Sequence, residues 1–101
     1  MTANLDITPF DAADHLGSEE AQIALLNDAI GTGNAAYIAN AVGAVARARS
    51  GMSKLARDTG IKRQTLTKSL GKKGNPTLAT MIPVLDKLGL RMQIVRATAA
   101  N

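Results

Sequence analysis

A chain of 101 residues that is 46% hydrophobic and lacks cysteine supports one modest core and excludes disulfide staples, thiolate metal sites and cysteine nucleophiles. Phe10 and Tyr37 are its only aromatic residues, so the core is built from Leu, Ile, Val, Met and Ala, a mix that favours helices over a β-sandwich. The net charge of +4 hides a split: residues 1–46 carry Asp6, Asp11, Asp14, Glu19, Glu20 and Asp28 with no Lys or Arg, whereas residues 47–101 hold all 12 basic residues against Asp58 and Asp86.

In chain order, residues 1–17 read as an irregular or short-strand segment punctuated by Pro9 and Gly17. Ser18 is placed to cap a helix whose first turn holds Glu19 and Glu20 and whose apolar positions are Ile23, Leu26 and Ile30; Gly31 and Gly33 stop it. Asn34 caps a second helix, with Ile38, Val42, Val45 and Ala46 on its apolar face, ending near Arg49. Shorter helices follow, one through Leu55 and Ala56 to Gly60 and one through Leu66 and Leu70 to Gly71. After the loop GKKGNP comes a helix carrying Met81, Ile82, Leu85 and Leu88 and ended by Gly89; Thr77 or Thr80 is its cap, depending on where Pro83 is tolerated. Leu90, Met92 and Ile94 then alternate with Arg91 and Gln93, the period-two signature of a strand over about 90–96. One strand cannot stand alone, so its partner comes from residues 10–16, a second copy or another protein.

The segment LARDTGIKRQTLTKSLGKKGNPT, residues 55–77, packs six cations against one acid. Numbered from Met52, residues 52–70 fit the spacing of a helix-turn-helix. Leu55, Ile61 and Leu66 fill the small core between the helices, and Ala56 is small where they cross. Gly60 supplies the positive φ of the turn. Arg63, Gln64, Thr65, Thr67 and Lys68 then point outward from the second helix, and Arg and Gln are the side chains that read guanine and adenine edges bidentately. Lys62, Lys72 and Lys73, with the backbone N–H groups near Thr77 and Thr80, are placed for phosphates. Thr59 and Ser69 occupy positions where larger apolar groups are usual, and Lys62 is a poor helix cap. A plain helical hairpin with a glycine turn is the bland alternative, outweighed by five matched positions and the basic surround.

Other features carry less. His15 has Asp11 and Asp14 nearby but too few ligands for a metal and no nucleophile for a triad. The GKKGNPT loop lacks the order of a phosphate loop, and the basic half has no aromatic residue on which single-stranded RNA could stack. Arg47 and Arg49 suit the negative end of a helix, with a phosphate contact as the alternative. Met52, Met81 and Met92 read as core filler or dimer contacts. No cofactor, metal site or enzymatic centre is expected. With no signal-peptide pattern and no apolar run near the ~20 residues that span a bilayer, a cytoplasmic protein with no membrane partner is expected, sitting at the nucleoid if it binds DNA.

Residues 45–95, from VARARSGMSKLARDTGI to GLRMQIV, and the opening FDAADHLGSEEAQIALLNDAI, residues 10–30, resemble the addiction-module antidote proteins, HigA-like antitoxins of bacterial type II toxin–antitoxin pairs. That family usually places a good cap where this chain has Lys62. The resemblance implies a homodimer that binds the operator of its own operon, represses it, and neutralises a RelE-like, mRNA-cleaving toxin. An RNA-gripping ribonuclease should be basic, so the acidic half, with Asp11, Asp14, Glu19, Glu20 and Asp28, is expected to face it. The expected fold is mainly α: residues 1–17 as an N-terminal segment, then a helical bundle over 18–101 with a λ-repressor-like helix-turn-helix and a short C-terminal β-strand. A stand-alone prophage-type repressor without a toxin is the nearest rival, and a small enzyme or a structural adaptor the more distant ones.

Overall fold

The computed structural model describes residues 17–97, which form five helices: α1 (Glu19–Thr32), α2 (Ala35–Arg49), α3 (Met52–Thr59), α4 (Arg63–Ser69) and α5 (Leu78–Lys87). Asp11, Asp14, His15 and the N-terminal segment as a whole lie outside the described residues. The helix starts fall where the capping residues predict. Ser18 Oγ accepts from the Ala21 N–H at 3.1 Å, Asn34 Oδ1 from Tyr37 at 2.9 Å and Thr77 Oγ1 from Thr80 at 3.2 Å. Thr77 therefore starts α5, and Pro83 lies inside that helix.

Helix α2 is the central element. Ala39 and every residue from Ala41 to Ala46 are buried, so this stretch is covered on all sides, and only small or β-branched side chains occur there. Helix α1 lies against it through Gln22, Leu26 and Ala29. That corrects the expected apolar face: Ile23 and Ile30 are exposed, because the buried stripe runs one position out of step with them. Leu55 of α3, Leu66 of α4 and Leu70 at its cap, and Met81, Val84, Leu85 and Leu88 of α5 and its cap complete the same core.

Two contacts fix the distant parts to α2. At Gly43 a Cβ would collide with the Leu70 carbonyl, so the middle of α2 and the end of α4 meet backbone to backbone. At the end of α2, Arg49 reaches α1 and α5 together, donating to the Leu88 carbonyl and to Gln22 Oε1 and pairing with Glu19 at 3.2 Å. The Leu88 carbonyl belongs to a helix end already closed by Gly89 (φ 76°), where the Leu90 N–H donates to the Leu85 carbonyl at 2.8 Å.

The C-terminal strand expected over 90–96 is not formed: Leu90 belongs to the α5 cap, and residues 91–97 have no regular secondary structure. A strand requires an open edge to pair with, and the other described segments are helices and capped turns. Met92, Ile94 and Val95 are left exposed.

Two stability outcomes follow from these contacts. Arg49→Ala should cost about 1.5–3 kcal/mol in denaturant unfolding, with Arg49→Lys recovering only part because an ammonium cannot reach three partners with a fork. Gly43→Ala should destabilise by about 1–3 kcal/mol through overpacking against backbone, although it replaces a helical glycine with the best helix former.

Candidate nucleic-acid interface

Helices α3 and α4 are joined by only three residues, Gly60, Ile61 and Lys62. Gly60 has φ 77° with open space where a Cβ would stand, so its backbone conformation, not crowding, demands glycine. Its N–H donates to the Ala56 carbonyl at 2.9 Å, closing α3. Thr59, where a larger apolar group is usual, is explained by its hydroxyl. It donates to the Leu55 carbonyl at 2.8 Å and accepts from the Ile61 N–H at 3.2 Å, stitching the helix end to the turn. Leu55 and Leu66 are fully buried, while Ala56 and Ile61 are half-buried at the rim of the same core. The five scaffold positions thus come together around one turn. Lys54 donates to Asp58 one turn along α3 at 2.7 Å, and this bond holds the Asp58 carboxyl below its usual range. The pair supports α3 at neutral pH and stops doing so once acid protonates Asp58, at a pH below the ordinary carboxylate range.

Because Leu66 and Leu70 take the inner side of α4, Arg63, Gln64, Thr65, Thr67 and Lys68 are all exposed. Among the described residues, none of these five side chains has a hydrogen-bond or ion-pair partner within the protein. Arg63 and Thr67 stand one turn apart, as do Gln64 and Lys68, and these four line a shallow, open depression. Lys62, Lys72, Lys73 and Thr77 are also exposed. Lys62 precedes α4 without a side-chain cap, as its identity predicts. Thr80 differs from its expected role: it is half-buried, and its N–H is taken by the Thr77 hydroxyl, which leaves only the earlier N–H groups of α5 for an external anion.

The structure also separates two arginines that the sequence treats alike. Arg49 is spent inside the fold, whereas Arg47 is exposed at the end of α2 beside Gly43, next to the end of α4. Nearer the start of α2 lies Tyr37, whose hydroxyl donates to Asp28 at 3.0 Å; that bond, with some help from burial, raises its pKa. Of the acids expected to face a partner, Glu19 and Asp28 therefore have internal partners, and Glu20 is exposed without one among the described residues. No group of three or more His, Cys, Asp or Glu residues capable of holding a metal is found among the described residues, and no described helix is long and apolar enough to cross a membrane.

No solved structure matches the chain. A protein of Haemophilus influenzae strain Rd, described as uncharacterized, is 44% identical over 91 residues, covering 90% of this chain and 93% of its own length. The family model described as "Probable addiction module antidote protein" matches residues 6–96. With nine-tenths of its length matched, the chain belongs to the addiction-module antidote family.

Proposed function

We propose that this antidote is a HigA-like, sequence-specific DNA-binding protein that represses its own operon and neutralises a cognate RelE-like ribonuclease toxin. The observation that carries the DNA-binding half is the outer face of α4, where Arg63 and Gln64 stand exposed and unpaired on a helix fixed by Leu66, Leu70 and the Gly60 turn. A helix in the major groove needs side chains with no internal commitments, on a backbone that does not move. Arg63 and Gln64 read base edges, with Thr65, Thr67 and Lys68 extending the contact. Lys62, Lys72 and Lys73 neutralise phosphates on either side, the N–H groups that open α5 after Thr77 donate to another, and Arg47 adds a further cation at the rim.

The protein acts by binding rather than by turnover. It works as a homodimer, since two copies are needed to read two half-sites one helical turn apart. The exposed Met92, Ile94 and Val95 give the C-terminal segment an apolar surface that a second copy would cover. The toxin is met by the acidic half, with Asp11, Asp14, Glu19, Glu20 and Asp28, and the toxin complex tunes repression. Such a protein works in the cytoplasm, at the nucleoid.

A gel-shift titration on the DNA upstream of the gene tests the reading. Arg63→Ala with Gln64→Ala should weaken operator binding by about 1–3 kcal/mol per lost base contact and erase the preference over nonspecific competitor. Lys72→Ala with Lys73→Ala should weaken specific and nonspecific binding alike. It should also make the slope of log affinity against log salt shallower, from about −5 to about −3. Equal binding by wild type and the Arg63/Gln64 variant would end the base-reading assignment.

A further inference from the structure

Helix α1 takes no part in the proposed DNA contact, yet its outer side has an unusual composition. Its inner side is spent on α2 through Gln22, Leu26 and Ala29. Outward it presents Glu20, Ile23, Ala24, Asn27 and Ile30, flanked by Glu19 and Asp28, and the whole helix contains no basic residue. Ile23 is 38% exposed and Ile30 51% exposed. Seven residues apart, they lie two turns from each other on the same shoulder of the helix, with Asn27 between them. Two isoleucines held in water on one helical shoulder, rimmed by acids, form a small apolar strip in a negative field.

Charge selects what covers this strip. DNA is repelled by it. A second copy docking through the same face would set Glu20 and its neighbours against their own images, since a two-fold interface pairs a patch with itself. Another apolar surface, around Ile82, Leu90 and Met92, carries both Asp86 and Arg91 and has no such conflict. A basic protein is the occupant that gains on every count. It is attracted to α1, it buries the isoleucines, and the cations around α4 repel it from the proposed DNA face.

We infer that the outer face of α1 is the seat of the antidote's toxin, a basic protein anchored on Ile23 and Ile30 and steered by Glu20; this rests on the antitoxin reading above. The acids set the rate and specificity of encounter, and the two isoleucines hold the complex once formed. Glu19, its charge balanced by Arg49, helps to keep α1 in place, and Asp28, bound to the neutral Tyr37 hydroxyl, contributes field rather than contact.

The test titrates the full-length chain with the protein encoded by the adjoining gene of its operon, by calorimetry, with operator gel shift, melting temperature and sedimentation as parallel readouts. Ile23→Asp with Ile30→Asp should lower toxin affinity by about 100-fold or more, as loss of a hot spot does, while operator binding and melting temperature stay near wild type. Should the aspartate pair unfold, Ile23→Ser with Ile30→Ser is expected to fold and still lose about tenfold. Glu20→Lys should slow association and flatten its salt dependence, and Ile82→Asp should leave toxin affinity unchanged. Wild-type toxin affinity in the folded double variants would overturn the assignment. So would a change of sedimentation from dimer to monomer with toxin affinity intact, which would make α1 a self-interface. A wild-type chain that does not bind the adjoining gene's product at all would refute the pairing itself, and the seat on α1 with it.

Discussion

The place where α2 passes the end of α4, backbone against backbone at Gly43 and Leu70, governs the rest of the molecule. Close approach demands the absence of a side chain, and the neighbours of Gly43 in α2 are correspondingly small: Ala41, Val42, Ala44, Val45 and Ala46. A central helix of small residues lets three other helices come near one axis, so a chain with only two aromatics can close a core out of leucines, valines and alanines. Gly43 in mid-helix costs roughly 1 kcal/mol relative to alanine in intrinsic propensity, offset here by the packing it permits.

That packing explains how a helix of only seven residues holds its orientation. An isolated peptide of this length would not be helical, because nucleation is too costly. Leu66 and Leu70, both fully buried, pin α4 to the core, and the Gly60 turn and the Thr59 hydroxyl fix its start. Stability thus comes entirely from the inner side, and the outer side is left free to be chosen for something else. The same logic explains why Lys62 is tolerated without a capping side chain. The tertiary anchors on either side make a capping contribution of about 1 kcal/mol dispensable.

What the sequence makes legible here is short-range. Ser18, Asn34 and Thr77 mark helix starts because capping is a contact within three residues, and Gly60 marks the turn because φ is a property of one residue. The face of α4 is legible for the same reason: Leu66 and Leu70 define its inside, so the remainder is its outside. The features that sequence reading misses are all long-range. Arg49 looks like any cation at a helix end, yet its partners are 27 and 39 residues away in the chain. Ile23 and Ile30 have helical spacing and belong to a core by type, but which of two overlapping stripes faces α2 is decided by α2. Alternation in residues 90–96 is a real local signal, and whether it becomes a strand depends on an edge that no described residue provides. Gly43 was detectable in principle, since a glycine within an Ala- and Val-rich helix is unfavourable unless something presses against it.

The division of charge along the chain gains a spatial meaning from this architecture. Acids are confined to the first half except for Asp58 and Asp86, and Asp58 is paired with Lys54, so those two cancel and the cations of α4 itself stay unpaired. Arg49 is engaged by Glu19, Gln22 and the Leu88 carbonyl, so its ion pair balances the Glu19 charge and leaves Glu20 and Asp28 as the uncompensated acids of α1. The acids left uncompensated on α1 and the cations left uncompensated on α4 thus lie on separate surfaces, although Asp86 remains, among the described residues, an unpaired acid of the basic half. On the proposed function, in which a polyanion and a polycation are held together, this arrangement does two things. It steers each ligand to its own face, and it lets either ligand, once bound, draw in the other, because neutralising one surface also lowers the repulsion that the second ligand meets on approach. By linkage the effect is reciprocal: a toxin that tightens the hold on DNA must itself be held more tightly on DNA, and both effects must weaken together as salt screens the fields.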